Sequence, residues 1–589
     1  MTKLLLRYLR PYKGQVALLV FFQVIQAFLN LYLPNLQAEV IDQGVAVGDA
    51  RKIYHIGFVM IVIAVVQGLA NIAAVVVCSR ISTRLAYEVR RDFFSASENL
   101  CQAEVDRYST GSLITRSTND IYQVQNATFQ AFLFVLQAPI MFVGGLVMAI
   151  QQNGELTWSI AVILPIVLLV AGIIFSKIGP LFKRLQAKLD AINLVIREQV
   201  TGVRVVRAFV RESTESQRFE KANTETSGVL LPVGFLMGAL GPIMWFITSI
   251  FNIAIMWFGG HLIESGNMKI GALQAFIQYL MIIIMGFMMA AMMSVMLPRA
   301  SVASKRLLEV IDQKPSVAAP AQPYFPQRCE GRLEFQDVSF TYPGASAPVL
   351  EHVSFVAEPG QTTAFIGATG AGKTTVLDLA QRIYDATDGR ILLDGHDLRE
   401  FDPRRLATLF GPVPQTARLF TGTVRSNMRF GKTDATDEEI WQALEIAQAE
   451  DFVREMPDGL DTRVSEGGTN FSGGQKQRLC IARALLRDPA LYAMDDSFSA
   501  LDMTTDRKLR LALRPVVSRS TFLLVAQRAA SIRDAEKIIV LDKGRIVGEG
   551  DHESLMKDCD VYRQIVDSQG GDGGGAVESG ADADQEGEK

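Results

Sequence analysis

The sequence predicts two architectures in one chain: a polytopic α-helical membrane domain of six spans, then an α/β nucleotide-binding domain built around a phosphate loop. Three observations carry that expectation. Long charge-free apolar runs are confined to about the first 300 residues. Beyond them, short β-branched apolar segments alternate with helical ones, the pattern of a largely parallel sheet. Between one such strand and one such helix stands Gly367-Ala368-Thr369-Gly370-Ala371-Gly372-Lys373-Thr374-Thr375, which fits G-x-x-x-x-G-K-[ST] without a mismatch.

Composition narrows the class. Hydrophobic residues make up 49% of the 589 and charged residues only 20%, and the apolar residues are concentrated in the first 300 positions, which points to a membrane domain followed by a soluble one. The net charge of −4 leaves no basic footprint for nucleic acid. The five cysteines are odd in number and form no C-x-x-C pair, which argues against a disulfide framework or a zinc site. The first apolar run is far longer than the core of a cleavable signal.

The expected spans are 14–38, 56–79, 121–154, 156–176, 226–263 and 270–298. Each reaches the roughly 20 residues that a bilayer core requires. Residues 80–120 and 177–225 read as long connections rich in Arg and Lys, whereas 39–55, 151–156 and 259–271 read as short turns with little positive charge. The positive-inside rule therefore places both termini, and the nucleotide-binding domain, in the cytoplasm of a multi-pass protein of the cell inner (plasma) membrane. No Asp, Glu, Lys or Arg lies in a span core, which disfavours proton or ion coupling. The spans carry amides instead: Gln23, Gln26, Asn30, Gln67, Asn71, Gln137, Asn252, Gln274 and Gln278. Interhelical hydrogen bonds and a polar cavity are both open uses for them. The sixth span holds Met281, Met285, Met288, Met289, Met292, Met293 and Met296, flexible thioethers suited to helix packing or to varied apolar ligands. Pro139, Pro165 and Gly241-Pro242 are expected to kink their helices.

Residues 1–312 thus form the membrane domain, with Ser304–Asp312 a helix leaving the last span. Residues 313–332, Pro/Ala-rich from Lys314 to Gln327, read as a linker. The globular domain runs over 333–567, and 568–589 is Gly-rich and acidic, the composition of a disordered tail.

The chemistry is concentrated in the globular domain. A strand (Thr362–Ile366), a glycine turn and a helix (Thr375–Ala380) surround one anion with backbone N–H groups and a helix dipole. Lys373 adds a point charge for the β/γ-phosphates, and the Thr374 hydroxyl is placed to ligate Mg²⁺. The apolar strand Leu491–Met494 ends in Asp495 and Asp496, and Asp495 is expected to hold Mg²⁺. Gln415, after Val413-Pro414, is a further candidate for the metal. Ser472-Gly473-Gly474-Gln475 precedes a helix, Lys476–Leu486, and offers N–H and O–H groups to an anion. Tyr342 offers an aromatic face to an adenine. The reading is a site for ATP and Mg²⁺.

Together these residues resemble the ATP-binding cassette family, and the six spans ahead of them resemble its exporter-type half-transporters. The resemblance covers the chain except its tail and implies an added helical subdomain. It makes Ser472-Gly473-Gly474-Gln475 the signature segment, offered to a partner's ATP, and Ser499-Ala500-Leu501-Asp502 the D-loop. Gly111-Ser112-Leu113 with Arg116 and Asp120 (111–120), and Glu198, Gly202, Val206, Arg207 and Phe209 (near 202–212), look like its coupling segments.

Two departures from the family pattern stand out. The family follows the magnesium aspartate with a glutamate that polarises the attacking water; here the residue is Asp496, and no Glu occurs from 467 to 535. The switch histidine is replaced by Gln527, which cannot carry a positive charge. The signature keeps its serine, glycines and glutamine, with Phe471 for the usual Leu. The resemblance therefore implies a degenerate-site subunit of a heterodimeric multidrug-type exporter. A different half-transporter would bring the glutamate and histidine, and the cargo would be a small amphipathic, lipid-like or drug-like molecule taken from the bilayer. An ATP-gated or regulatory membrane protein, or the same fold working in uptake, are the alternatives.

Overall fold

The computed structural model describes residues 1–569 apart from Phe325 and Gln327. The tail expected over 568–589 lies outside the described residues from 570 onward. The chain divides into two compact units: Met1–Ser97 with Leu113–Asp312, and Glu98–Ser112 with the chain from Gln313 onward.

The first unit is helical. It contains α1 (Thr2–Leu9), α2 (Lys13–Glu39) and α3 (Ala50–Glu98); after α4 (Gln102–Tyr108) and α5 (Thr110–Thr115) follow α6 (Ile121–Gln152), α7 (Trp158–Ala208), α8 (Glu212–Glu264) and α9 (Ile270–Ile311). Among the described residues, six helical stretches are long and apolar enough to cross a membrane, one for each expected span. Their ends differ from the sequence expectation. The segments read as connections at 80–120 and 177–225 are largely helix: α3 continues to Glu98, α7 to Ala208, and α8 starts at Glu212. Charge marks where a helix leaves the hydrocarbon, but backbone hydrogen bonding continues past that point. Ser304–Ile311 continues α9 out of the last span, and the helix of the third span stops at Gln152 rather than 154. The turn read at 259–271 shrinks to the residues between Glu264 and Ile270.

α6 packs most extensively on α9, and α7 on α8. Several of the span amides bond between helices. Gln23 Nε2 donates to the Phe132 carbonyl at 2.6 Å, Gln67 Nε2 to Asn30 Oδ1 at 3.2 Å, and Gln278 Nε2 to Gln37 Oε1 at 2.5 Å. Such bonds are each worth roughly 0.6–2 kcal/mol in a bilayer and fix which faces meet. The Met stripe of α9 splits: Met293 is buried, while Met281, Met285 and Met292 are exposed.

The second unit includes a segment the sequence reading assigned to the membrane domain. Glu98–Ser112, which holds α4, clusters with it. Tyr384 donates to Asp106 at 3.2 Å, Arg404 to Asn99 at 3.0 Å, and the Ser316 N–H to buried Glu104 at 3.1 Å. The anchored piece thus lies just ahead of the 111–120 stretch that the resemblance singled out.

The strands of this unit are β1 (Leu333–Phe340), β2 (Leu350–Ala357), β3 (Thr362–Gly367), β4 (Asp388–Leu393), β5 (His396–Asp397), β6 (Phe410–Val413), β7 (Gly422–Thr423), β8 (Arg463–Val464), β9 (Leu491–Asp495), β10 (Thr521–Val525), β11 (Lys537–Asp542) and β12 (Arg545–Gly550). Between them stand α10 (Lys373–Ala380), α11 (Pro403–Thr408), α12 (Val424–Arg429), α13 (Asp437–Ile446), α14 (Glu450–Arg454), α15 (Gly473–Leu485) and α16 (Met503–Val517), and α17 (His552–Asp558) and α18 (Asp560–Ser568) close the unit. A six-stranded sheet, ordered β12-β11-β3-β10-β9-β6, is parallel except at β12. A four-stranded antiparallel sheet, β2-β1-β4-β5, was not foreseen from the alternation of strands and helices. β1 and β2 are hairpin neighbours with half-exposed faces, so they lack the continuous apolar run that marks β9 and β10, buried at every position. α12–α15 pack together as the helical subdomain around Leu444, Val453 and Leu479.

Candidate nucleotide site

The phosphate loop joins β3 to α10, and close packing sets its shape. A Cβ on Gly367 would lie 2.1 Å from the Leu541 carbonyl of β11, and one on Gly372, at φ 97°, would lie 2.5 Å from Leu350 Cδ2. Both positions therefore exclude side chains, and the left-handed turn at Gly372 delivers the chain into α10. The helix begins at Lys373, two residues before the expected start, so Lys373, Thr374 and Thr375 form its first turn. Its N–H groups and positive dipole end serve the anion site that the sequence implied. Lys373 Nζ donates to the carbonyls of Gly367 and Ala368, both at 2.9 Å, and so lies across the loop. Burial lowers its pKa, while Asp495 and Asp496 oppose that shift.

Asp495 ends β9, and its Oδ2 accepts the Thr374 hydroxyl at 2.9 Å. Thr374, Asp495 and Gln415 line one cleft of about 790 Å³. This oxygen-only set suits a hard divalent cation such as Mg²⁺. Thr374, Asp495 and Gln415 would hold the ion, which when bound neutralises phosphate charge. Burial raises the pKa of Asp495, partly offset by the Thr374 hydroxyl bond.

The next residue serves differently. Asp496 leaves the strand at φ 49°, a left-handed conformation that Asp tolerates better than most residues. Gln527, two residues beyond β10, donates from Nε2 to Asp496 Oδ2 at 2.8 Å. The two departures from the family pattern are thus paired with each other. His552 stands apart, with Nδ1 2.8 Å from the Tyr562 hydroxyl.

Tyr342 is half-buried. Its hydroxyl lies 3.0 Å from Thr375 Oγ1, and its ring meets those of Phe340 and Tyr384 edge-on. At the start of α15, Ser472 and Gln475 form a capping box: Ser472 Oγ accepts the Gln475 N–H at 3.3 Å, and Gln475 Oε1 accepts the Ser472 N–H at 2.9 Å. The Gly473 and Gly474 N–H groups lie at the open end of the helix. A Cβ on Gly474 would stand 3.1 Å from the Ala500 carbonyl, so the signature packs on the D-loop. Asp502 caps α16 by accepting the Thr505 N–H at 2.9 Å.

Two residues escaped the sequence reading. Asp378 lines the Thr374–Asp495 cleft, and burial, aided by Asp495 and Asp106, pushes its carboxyl up to about 6. The signal was its place one helical turn after Thr374, on the same face of α10. Gln569 brackets the turn after β10: Oε1 accepts the Ala529 N–H and Nε2 donates to the Gln527 carbonyl, both at 2.8 Å. Nothing local in the sequence marks that contact.

The comparisons with known proteins bear on the whole chain. The ABC transporter transmembrane region family matches residues 16–287, and the ABC transporter family of ATP-binding domains matches residues 350–499. An uncharacterized ABC transporter ATP-binding protein of Mycobacterium tuberculosis is 42% identical over 570 residues, covering 96% of this chain and 98% of that protein. The chain belongs to the ABC transporter family. A Bacillus subtilis ABC transporter ATP-binding protein, also uncharacterized, is 33% identical over 96% of this chain and 98% of its own length. The ATP-dependent lipid A-core flippase of Vibrio vulnificus is 28% identical over 97% of this chain and 98% of its own. A solved bacterial Atm1-family ABC exporter with ATP bound shares the fold, with a TM-score of 0.78, 23% identity, and coverage of 97% of this chain and 99% of that one. The chain is therefore an ABC transporter with an exporter-type fold, in which six helices among the described residues, long and apolar enough to cross a membrane, are fused to an ABC ATPase domain, and it is a multi-pass membrane protein.

Proposed function

We propose that this ABC transporter chain is the binding-dominant subunit of a heterodimeric exporter. It holds ATP on its own phosphate loop, hydrolyses it poorly, and lends its signature segment to the site where the partner cleaves ATP. The observation that carries the reading is the Gln527–Asp496 hydrogen bond of 2.8 Å. A carboxylate that polarises water must be aimed at the γ-phosphate, and the bond from Gln527 to Oδ2 competes for the orientation of the Asp496 carboxylate. Its side chain is also one methylene shorter than glutamate. Misplacement by about an ångström costs on the order of 10²-fold in rate.

On this chain's side the residues bind and orient. The loop N–H groups and Lys373 take up phosphate charge, and Thr374, Gln415 and Asp495 would seat the Mg²⁺. Across the dimer, the N–H groups at Gly473 and Gly474 face the partner's nucleotide. Closure of the two cassettes turns the membrane helices outward, and hydrolysis at the partner's site resets them. An uncharged bundle with an exposed thioether face at Met281, Met285 and Met292 suits an amphipathic cargo. The lipid A-core flippase named above, a relative of this chain, fits that class. The setting is the cell inner membrane, with both termini cytoplasmic.

The test is ATPase activity of the co-expressed pair. Replacing the partner's glutamate with Gln is expected to abolish turnover, whereas Asp496→Asn in this chain leaves it within about twofold. Turnover by this chain alone at the rate of the pair would reject the heterodimer.

A further inference from the structure

A second binding site lies outside the cassette, where α2 and α3 reach the edge of their apolar runs. The cavity there, about 690 Å³, is lined by Tyr12, Gln15, Ser79, Arg80, Thr83, Arg84 and Tyr87. Its position follows from the sequence. The first charge-free run begins at residue 14 and the second ends at 79, so the cavity spans the level where hydrocarbon gives way to headgroups. Ser79, Arg80, Thr83, Arg84 and Tyr87 recur at a helical spacing and share one face of α3.

The donor set is that of a phosphate receptor: two guanidiniums, two hydroxyls, an amide and two phenols, with no carboxylate in the lining. Arg84 Nε donates to the Tyr12 hydroxyl at 3.2 Å, and Tyr12 in turn donates to Glu88 Oε1 at 2.5 Å, which fixes the guanidinium on the cavity side. Glu88 lies 3.7 Å from Arg84 and offsets part of one charge. Arg80 has no carboxylate partner among the described residues and is exposed. Toward the bilayer centre the same two helices present exposed apolar side chains, Leu18, Phe21, Ile72 and Val76. Basic and hydroxyl groups with exposed apolar side chains on the bilayer side of the same helices match a two-part ligand, and tyrosines at the junction match an interface.

We propose that this pocket binds the phosphodiester headgroup of an anionic phospholipid, with its acyl chains against the exposed apolar side chains of α2 and α3. The proposal rests on the membrane architecture alone and is independent of which subunit hydrolyses ATP. The bound lipid would tie the start of the first span to the second at the membrane surface.

The experiment is native mass spectrometry of the purified full-length transporter, titrated with phosphatidylglycerol or phosphatidylcholine. The wild type is expected to retain one phosphatidylglycerol preferentially. Arg80→Gln with Arg84→Gln should weaken that binding about 30-fold, at roughly fivefold for each basic side chain near an anionic surface. Arg80→Lys with Arg84→Lys should keep most of the preference, and shows that a loss is not unfolding. Displacement of the lipid by millimolar inorganic phosphate alone would assign the site to free phosphate and overturn the lipid claim. An equal loss from Lys177→Gln with Lys183→Gln, elsewhere on the unit, would show general surface charge and also reject the proposal.

Discussion

Asp495 and Asp496 are successive residues, equally buried at 8% exposure, yet their carboxylates are set to opposite uses. Asp495 is the last residue of an extended strand and meets the Thr374 hydroxyl of the phosphate loop. Asp496 turns into the left-handed region and meets the Gln527 amide of the following strand's turn. One carboxylate meets a hydroxyl of the phosphate loop, and one oxygen of the other meets a side-chain amide. Under the assignment proposed above, holding a nucleotide and cleaving it divide at a single peptide bond. The second can then be lost while the residues for the first stay in place.

The largest expected effect comes from reversing the second half of that comparison. Asp496→Glu together with Gln527→His should raise hydrolysis at this chain's own loop about 10²-fold, by returning a free carboxylate and a protonatable ring. Turnover is measured in a pair whose partner glutamate is Gln, so that only this site reports. Turnover unchanged from the unmodified chain would place the defect elsewhere. A cassette that gains hydrolysis from both changes, but from neither singly, would show that the Asp496–Gln527 pair acts as a unit.

Much of this was legible before any coordinates. The phosphate loop, the strand ending at Asp495 and the signature read directly, because each is a local run whose chemistry depends on adjacent residues. The six membrane crossings read for the same reason. What the sequence hid is non-local. The antiparallel sheet depends on β1 pairing with both β2 and β4, and the half-exposed β1 carries no apolar run to announce it. α3, α7 and α8 outrun their apolar runs because charge marks only the end of the hydrocarbon and not the end of a helix. The Asp496–Gln527 bond joins residues 31 apart, just past the ends of two neighbouring strands, so the sequence displayed both substitutions but not that they touch.

A smaller effect tests the binding half. Asp378 sits in the cleft with Thr374 and Asp495, and burial raises its carboxyl to about 6. A raised acid stabilises the fold while it is protonated in both states. That contribution is complete below the unfolded value near 3.9 and is lost as pH rises through about 6. Asp378→Asn should therefore leave the melting temperature of the nucleotide-free protein unchanged at pH 4. At pH 8 it should raise it by a few degrees, for a gain on the order of 1–3 kcal/mol. An equal gain at both pH values would mean that the carboxylate's charge is not what costs stability there.

The smallest effect concerns how the Gln527 turn is held. Gln569 spans it with one amide, accepting from the Ala529 N–H and donating to the Gln527 carbonyl. Both bonds are near the surface, so each contributes about 1 kcal/mol at most. Global stability is a poor readout for that; exchange of the Ala529 amide hydrogen is a direct one, because a local opening reports the bond itself. Gln569→Ala should speed that exchange roughly fivefold. Gln569→Glu separates the two bonds, since a carboxylate still accepts from Ala529 but has no N–H for Gln527. It should keep the Ala529 amide protected while loosening the residue that engages Asp496. Ala529 exchange as fast in the Glu variant as in the Ala variant would mean that the turn is held from its Gln527 end, and that the bond to Ala529 follows rather than leads.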